Sequence, residues 1–340
     1  MVRSAIGGAD RARAGSRVLG LLSDALNASI LRALLRGPLP VSELACHLSP
    51  TSRTTRFGRL RELEDLGVIA REKRPGTPPV SYCSLAPAGR SLLPVVGRFA
   101  EWLASDPSGP SSPDDLTGAR KIKALANAWD TTVLRWLAER PCSLTELDSL
   151  SPSAVSHHEA RKSREGLSAA GLIAPVESRD RRRPYAPVSW ARCVAGCIAA
   201  AIGWELAFLE ASAFPSSVDV ETLLLLLLPL VDSIPVPHGS VCALQVDQSG
   251  DLPVATVEEG RIVPGATDVD SGNGRASRIS GSAESWLHAI VHGRTESLSM
   301  QGRTRLTTAL VSGIHAAGMR HASEPGADTL DKLPISLCAI

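Results

Sequence analysis

Two copies of one pattern, about 103 residues apart, dominate the N-terminal two-thirds of this 340-residue chain. The first runs from Ser23 to Arg74 and the second from Ala126 to Arg183. Each opens with an apolar helical segment ending Leu-Arg-x-Leu-x-x-x-Pro, at Leu31–Pro38 and Leu134–Pro141. A Ser/Thr-Glu-Leu start to a short helix follows, then a Ser-Pro turn at Ser49-Pro50 and Ser151-Pro152. A basic helix comes next, closed by a Gly-apolar-Ile stop at Gly67-Val68-Ile69 and Gly171-Leu172-Ile173, and a tract dense in Arg and Lys ends each copy. Repetition at a fixed period is read before any local element, because it sets the architecture. Helix, helix–turn–helix and basic hairpin, in that order, predict a winged helix present twice.

The segments between the repeats divide the chain further. Residues 1–16 are rich in Gly, Ala and Arg without apolar periodicity and are expected to form a flexible arm. The first winged unit takes residues 17–104, and the Pro/Ser/Gly stretch 105–118 reads as a linker. The second winged unit and a trailing helix take 119–214. From 218 to 320 the pattern changes to a Leu-rich segment (Leu223–Leu228), then strands at Ser240–Val246, Pro253–Glu258, Arg261–Pro264 and Ala276–Ser280, with a turn at Asp268–Gly274. Helices follow at Ala283–His292 and Arg303–Ala317, and 321–340 read as a tail. The expected fold class is α+β: two tandem winged helix-turn-helix units followed by a smaller α/β sandwich.

Charge is distributed unevenly along these blocks. Residues 1–103 carry 15 Lys and Arg against 8 Asp and Glu, residues 104–214 carry 13 against 13, and residues 215–340 carry 8 against 14. A basic front and an acidic back within a net charge of +1 point to a polyanion partner at one end only. No apolar run approaches the roughly 20 residues of a spanning helix, and Met1-Val2-Arg3 leads into polar residues, so no membrane partner is expected. Seven cysteines at irregular spacing fit reduced thiols in a cytoplasmic protein, with Cys193 and Cys197 as packing residues.

Within the first repeat, Phe57, Leu60 and Leu63 are expected to face the core, which turns Arg53, Thr54, Arg56 and Arg59 outward to a DNA groove. Gly58, mid-helix, fits close approach to a backbone. Arg71, Lys73 and Arg74 lie on the wing. Aligning the two Gly-apolar-Ile stops sets His157, His158, Ala160, Lys162 and Ser163 opposite Arg53, Thr54, Arg56, Gly58 and Arg59. Phe57 and Leu60 then become Arg161 and Arg164, so the second helix is expected to be less buried or differently registered. His157, His158, Arg161, Lys162, Arg164 and the wing residues Arg181, Arg182 and Arg183 are the second set of expected DNA contacts. A metal at His157-His158 is not favoured, because only Glu159 stands at ligand spacing.

The first repeat resembles the HxlR family of winged helix–turn–helix regulators, relatives of the MarR group. The residues that carry the likeness are Ile30–Pro38 after Asp24, Ser42-Glu43-Leu44, Arg59–Val68 and Pro78–Gly89. The resemblance implies a DNA-binding transcriptional regulator, usually dimeric, whose helix at Arg53–Leu66 reads the groove. One departure is Ala25, where the family usually has an aromatic residue; the second repeat carries Trp129. The C-terminal block resembles the sterol-carrier-protein-type-2-like fold, on Gly239–Leu244, Val257–Ile262, Ile279–Leu287 and the helix around Leu306–Ile314. That likeness implies a cavity for a hydrophobic small-molecule effector, lined by Leu224, Leu227, Trp286, Ile290, Met300, Leu306 and Leu310. Removal of everything after Phe214 is then expected to leave DNA binding intact and abolish the response.

No nucleophile elbow, P-loop, dinucleotide fingerprint, zinc-protease motif or CxxC pair is present, so no enzyme, cofactor or metal is expected. Two alternatives stand beside the regulator. One is a metabolite-sequestering resistance protein. The other is a tandem winged-helix DNA glycosylase, against which Gln245 and Gln248 have the wrong spacing for that class's Gln-x-Gln motif.

Overall fold

The computed structural model describes residues 13–48, 52–75, 79–150, 157–176, 183–209, 215–232, 234, 236–247, 253–258, 261–265 and 277–319. The Ser-Pro turns at 49–50 and 151–152, residues 1–12 of the expected arm, the turn at 268–274, and the tail from 321 lie outside them.

The first unit comprises α1 (Ser16–Leu22), α2 (Ala25–Leu34), β1 (Leu39–Pro40), α3 (Val41–His47), α4 (Arg53–Asp65), β2 (Ile69–Arg74), β3 (Val80–Leu85) and α5 (Pro87–Ala104). Asp24 caps α2 by accepting from the Leu26 N–H, and the helix then buries Leu26, Ile30, Leu31 and Leu34 at helical spacing. α4 starts the same way, with Ser52 accepting from the Thr55 N–H. It stops at Gly67, whose φ of 68° suits a residue without Cβ. The Val68 N–H closes that stop on the Leu63 carbonyl at 2.9 Å. The chain then pairs β2 with β3, with β1 added on the far side in the order β1-β3-β2. Gly89 lets α5 sit directly on the Val68 carbonyl, where a Cβ would collide.

The element order then repeats as α6 (Leu116–Asp130), α7 (Val133–Glu139), α8 (Leu144–Leu150), α9 (His157–Ala169), β4 (Ile173–Pro175) and β5 (Tyr185–Pro187). The stop of α9 has the same geometry, with Gly171 at φ 71° and the Leu172 N–H on the Leu167 carbonyl at 2.9 Å. A two-bond bridge between Cys142 and Tyr185 takes the place of β1. At the start of α8, Ser143 and Glu146 cap one another, and with Arg140 they hold the Glu146 carboxyl at about 2. α10 (Ser189–Arg192) and α11 (Val194–Phe208) follow.

The expected linker is an ordered clamp. Asp106 and Ser111 are buried, and Asp106 pairs with the Lys121 ammonium while accepting from the Ser108 N–H and hydroxyl. The composition that suggested flexibility supplies short polar side chains that turn back on their own backbone. Across this joint the indoles of Trp102 and Trp190 stack at 4.7 Å, and each donates its N–H to the other's backbone carbonyl, at 3.1 and 2.9 Å.

The last third contains α12 (Ser217–Leu227), a 3-10 turn, β6 (Val241–Val246), β7 (Val254–Glu258), β8 (Arg261–Gly265), β9 (Ser277–Gly281), α13 (Ala283–His292), β10 (Ser299–Gln301) and α14 (Thr304–Met319). Its five-stranded sheet has the order β10-β9-β6-β7-β8 and is antiparallel except between β6 and β9. α12 packs on α7 and α11, and α11 also packs on α5, α13 and α14. The helical stretch Ser189–Phe208 is apolar and long enough to cross a membrane, yet 61% of it is buried in the protein core. One apolar cluster runs from Ala14 to Ala317 without a break between the blocks. In it, burial pushes the thiols of Cys197 and Cys242 up, Cys242 to about 12.

The end of the expected arm is fixed in the same seam. Ala14 is fully buried, and the Gly15 and Val18 N–H groups donate to the buried Glu205 carboxylate of α11 at 2.7 and 2.8 Å. Arg13 lies over the Trp129 ring at 4.0 Å, donates to the Trp129 carbonyl, and pairs with Asp219 of α12 at 2.6 Å. Beside it, Arg135 of α7 pairs with the buried Glu221 of α12 at 3.0 Å.

α11 and α14 approach closely at Gly196, where a Cβ would strike the Gly318 backbone carbonyl. Gly196→Ala should therefore force two helices apart and cost about 1–3 kcal/mol, read as a lowered urea midpoint with unchanged m-value. An unchanged midpoint would show that the crossing yields freely.

Candidate nucleic-acid interface

α4 presents two opposite stripes. Leu60 and Leu63 are buried, and Arg56 lies on the same side, where its guanidinium donates to the Ala45 carbonyl of α3 at 2.6 Å. Ala45 is in the last turn of α3, so this arginine satisfies a carbonyl the helix leaves open and complements its dipole. Arg59 is held between α2 and α4 by Asp24 at 2.6 Å and Glu62 at 2.7 Å. The solvent stripe is Thr54, Phe57, Gly58 and Arg61, spaced i, i+3, i+4 and i+7, with Arg53 at its N-terminal end.

Two sequence expectations are thereby corrected. Phe57 is not a core residue: it is 40% exposed, with the Arg53 guanidinium 5.5 Å from its ring centroid. Arg56 and Arg59 do not point outward; both are half-buried and engaged by protein acceptors. The inner stripe runs 56, 60, 63 rather than 57, 60, 63. A long Arg stem can line a core margin while its head finds a carbonyl, and apolarity alone does not reveal that.

The wing carries the other exposed cations. Arg71 donates to Glu64 at 2.7 Å, and Arg74 lies 4.2 Å from the Tyr82 ring centroid with Glu72 at 3.9 Å. Lys73 is exposed, and among the described residues no carboxylate engages Lys73 or Arg53.

In α9 the buried side chains are Ala160, Ser163 and Leu167. Counted from the two stop glycines, they occupy the places of Arg56, Arg59 and Leu63, so the two helices share one register. The irregularity expected at Arg161 came from placing Phe57 inside, whereas at the place of buried Leu60 this helix does carry a half-buried arginine, Arg164. The solvent stripe of α9 is His158, Arg161, Lys162 and Glu165, with His157 exposed before it. Arg161 pairs with Glu165 at 2.8 Å, and Arg164, half-buried, lies 5.2 Å from the Tyr185 ring centroid. Arg183 is exposed, while Arg181 and Arg182 lie outside the described residues.

Residues 21–107 match the family of HxlR-like helix-turn-helix proteins. Over 94 residues the chain is 34% identical to the uncharacterized HTH-type transcriptional regulator YvaP of Bacillus subtilis (strain 168), covering 27% of this chain and 87% of that protein. The chain belongs to the HxlR-like helix-turn-helix family. An uncharacterized HTH-type transcriptional regulator of Methanothermobacter thermautotrophicus is 36% identical over 74 residues, or 22% of this chain and 56% of the relative. The family match ends at residue 107 of this HxlR-family chain; α6 to α14 lie beyond it.

The side chains expected to line an effector cavity are core residues. Leu224, Leu227, Trp286, Ile290, Leu306 and Leu310 are buried, Met300 is half-buried, and the Trp286 indole donates to the Gln245 carbonyl at 2.9 Å. A cavity of about 20 Å³ opens elsewhere, between α2 and α5 beside the Arg32–Asp114 ion pair, with room for no more than a water.

Proposed function

We propose that this HxlR-family protein is a sequence-specific, DNA-binding transcriptional regulator in the cytoplasm, with two winged helices in one chain. α4 enters the major groove with its solvent stripe, and the β2–β3 wing straddles the neighbouring backbone through Lys73, Arg71 and Arg74. The observation that carries this reading is that Arg53 on the reading helix and Lys73 on the wing of a family fold are exposed cations that no carboxylate engages among the described residues. The second unit repeats the element order and helix register but exposes Arg161 and Lys162 where the first exposes Phe57 and Gly58. We read it as the unit that grips phosphates, so a single chain supplies the two halves that a dimer of shorter relatives would.

The C-terminal block is read as the scaffold that fixes the angle between them, because α12, α13 and α14 pack on α11, which itself packs on α1 and α5 of the first unit, and because its apolar side chains form one core with theirs.

The test is a salt titration of duplex binding by the full chain. Arg53→Ala and Lys73→Ala should each weaken binding on all sequences and lower the slope of log K against log salt by about one unit. Folded variants with unaltered affinity and slope would overturn the placement of DNA on this face.

A further inference from the structure

We propose that Phe57 is the specificity-determining residue of α4 and that it recognises thymine methyl groups in the major groove. The inference rests on the DNA-binding reading above and goes beyond it by naming what is read.

Four observations converge on this. Phe57 stands at the centre of the solvent stripe, 40% exposed, although leucines on the same helix are fully buried. Thr54, one turn before it, adds a second methyl to the same face. Gly58, beside it, has open space where a Cβ would stand, so the helix backbone can approach base edges closely around the ring. Of the arginines on this helix, Arg56 is engaged by the Ala45 carbonyl and Arg59 by Asp24 and Glu62, while exposed Arg61, with Asp65 at 4.0 Å, stands a full turn beyond Phe57 at the C-terminal end of the stripe. Arg53 lies against the Phe57 ring, at the edge of the stripe where phosphates would run. The central surface offered to bases is therefore apolar, and the thymine C5 methyl is the one apolar group that major-groove edges present.

The experiment uses the full chain and duplexes selected from random DNA for tight binding. Each thymine in the best duplex is replaced in turn by deoxyuridine, which removes the methyl group and leaves every hydrogen bond. Binding should weaken about fourfold at one or two positions, the value of one buried methyl. Phe57→Ala should bind the thymine duplex about as weakly as the uracil duplexes and no longer distinguish them, while keeping the salt slope. If no uracil substitution matters to the parent protein while salt-dependent binding persists, the methyl-reading proposal is overturned and the DNA reading stands. If Phe57→Ala still discriminates, another residue reads the methyl and the assignment to Phe57 fails. If no duplex is bound with salt dependence, the DNA reading itself fails. If Phe57→Ala changes the oligomeric state instead, the ring is a protein contact and the proposal is likewise overturned.

Discussion

A chain cut after residue 214 should aggregate or remain unfolded, and should not survive as a DNA-binding fragment. Sequence reading assigned the last third to a separable module, but six consecutive leucines, Leu223 to Leu228, are each no more than 1% exposed and pack partly against α7 and α11. Each of these leucines that α7 and α11 bury contributes about 1.5–3 kcal/mol, and the cut exposes the apolar faces of α7 and α11 that they cover. A whole protein is stable by only about 5–15 kcal/mol. The cut also removes the Asp219 carboxylate from the largely buried Arg13 guanidinium and the Glu221 carboxylate from that of Arg135. The check is expression of residues 1–214 with size-exclusion chromatography and circular dichroism. A monomeric, cooperatively melting fragment would show that the blocks are independent after all.

Glu205→Ala should be the most damaging single substitution at this seam. Glu205 is 4% exposed and accepts the Gly15 and Val18 N–H groups at the start of α1. Removing it leaves two buried donors without acceptors, at about 1–3 kcal/mol each, and the loss is read from urea unfolding. The effect has a pH signature. Burial raises the Glu205 carboxyl above its ordinary value of 4.5, outweighing the backbone N–H bonds that lower it. A carboxyl that is higher in the folded than in the unfolded state contributes most stability below the unfolded value and loses it as pH rises through the folded one. The stability difference between parent and Glu205→Ala should thus be larger near pH 5 than near pH 8. A difference that grows with rising pH would show the carboxyl is lowered instead.

What the sequence made legible was local and periodic. The stops at Gly67 and Gly171 were visible because a helical period ending at glycine needs a left-handed residue, and both glycines adopt one. The strands β6 to β9 and the helices α13 and α14 fall within a residue or two of their expected bounds, because alternation and capping residues mark them, whereas helix α12 and strand β10 were not expected. The reading face of α4 was not legible in full. Stripes 56/60/63 and 57/60/63 differ by one position, and apolarity favoured Phe57, whereas the Ala45 carbonyl decided for Arg56. Nor was the seam. Arg13 finds Trp129 and Asp219 across more than a hundred residues each, and no spacing rule connects such partners. Pro and Ser at 105–118 were read for their looseness, but buried Asp106 and Lys121 made them a joint.

The junction at Arg13 also imposes an order on synthesis. Its partner Asp219 lies 206 residues downstream, so at about 5–20 residues per second it emerges roughly 10–40 s later. The first unit's own core, Val18 to Leu103, is complete long before then and can condense on the ribosome. During that interval, however, the opening turn of α1 has neither the Glu205 carboxylate nor α12 to receive it. The clasp therefore stays open until α12 has been translated, and only a chain made beyond it can shut it.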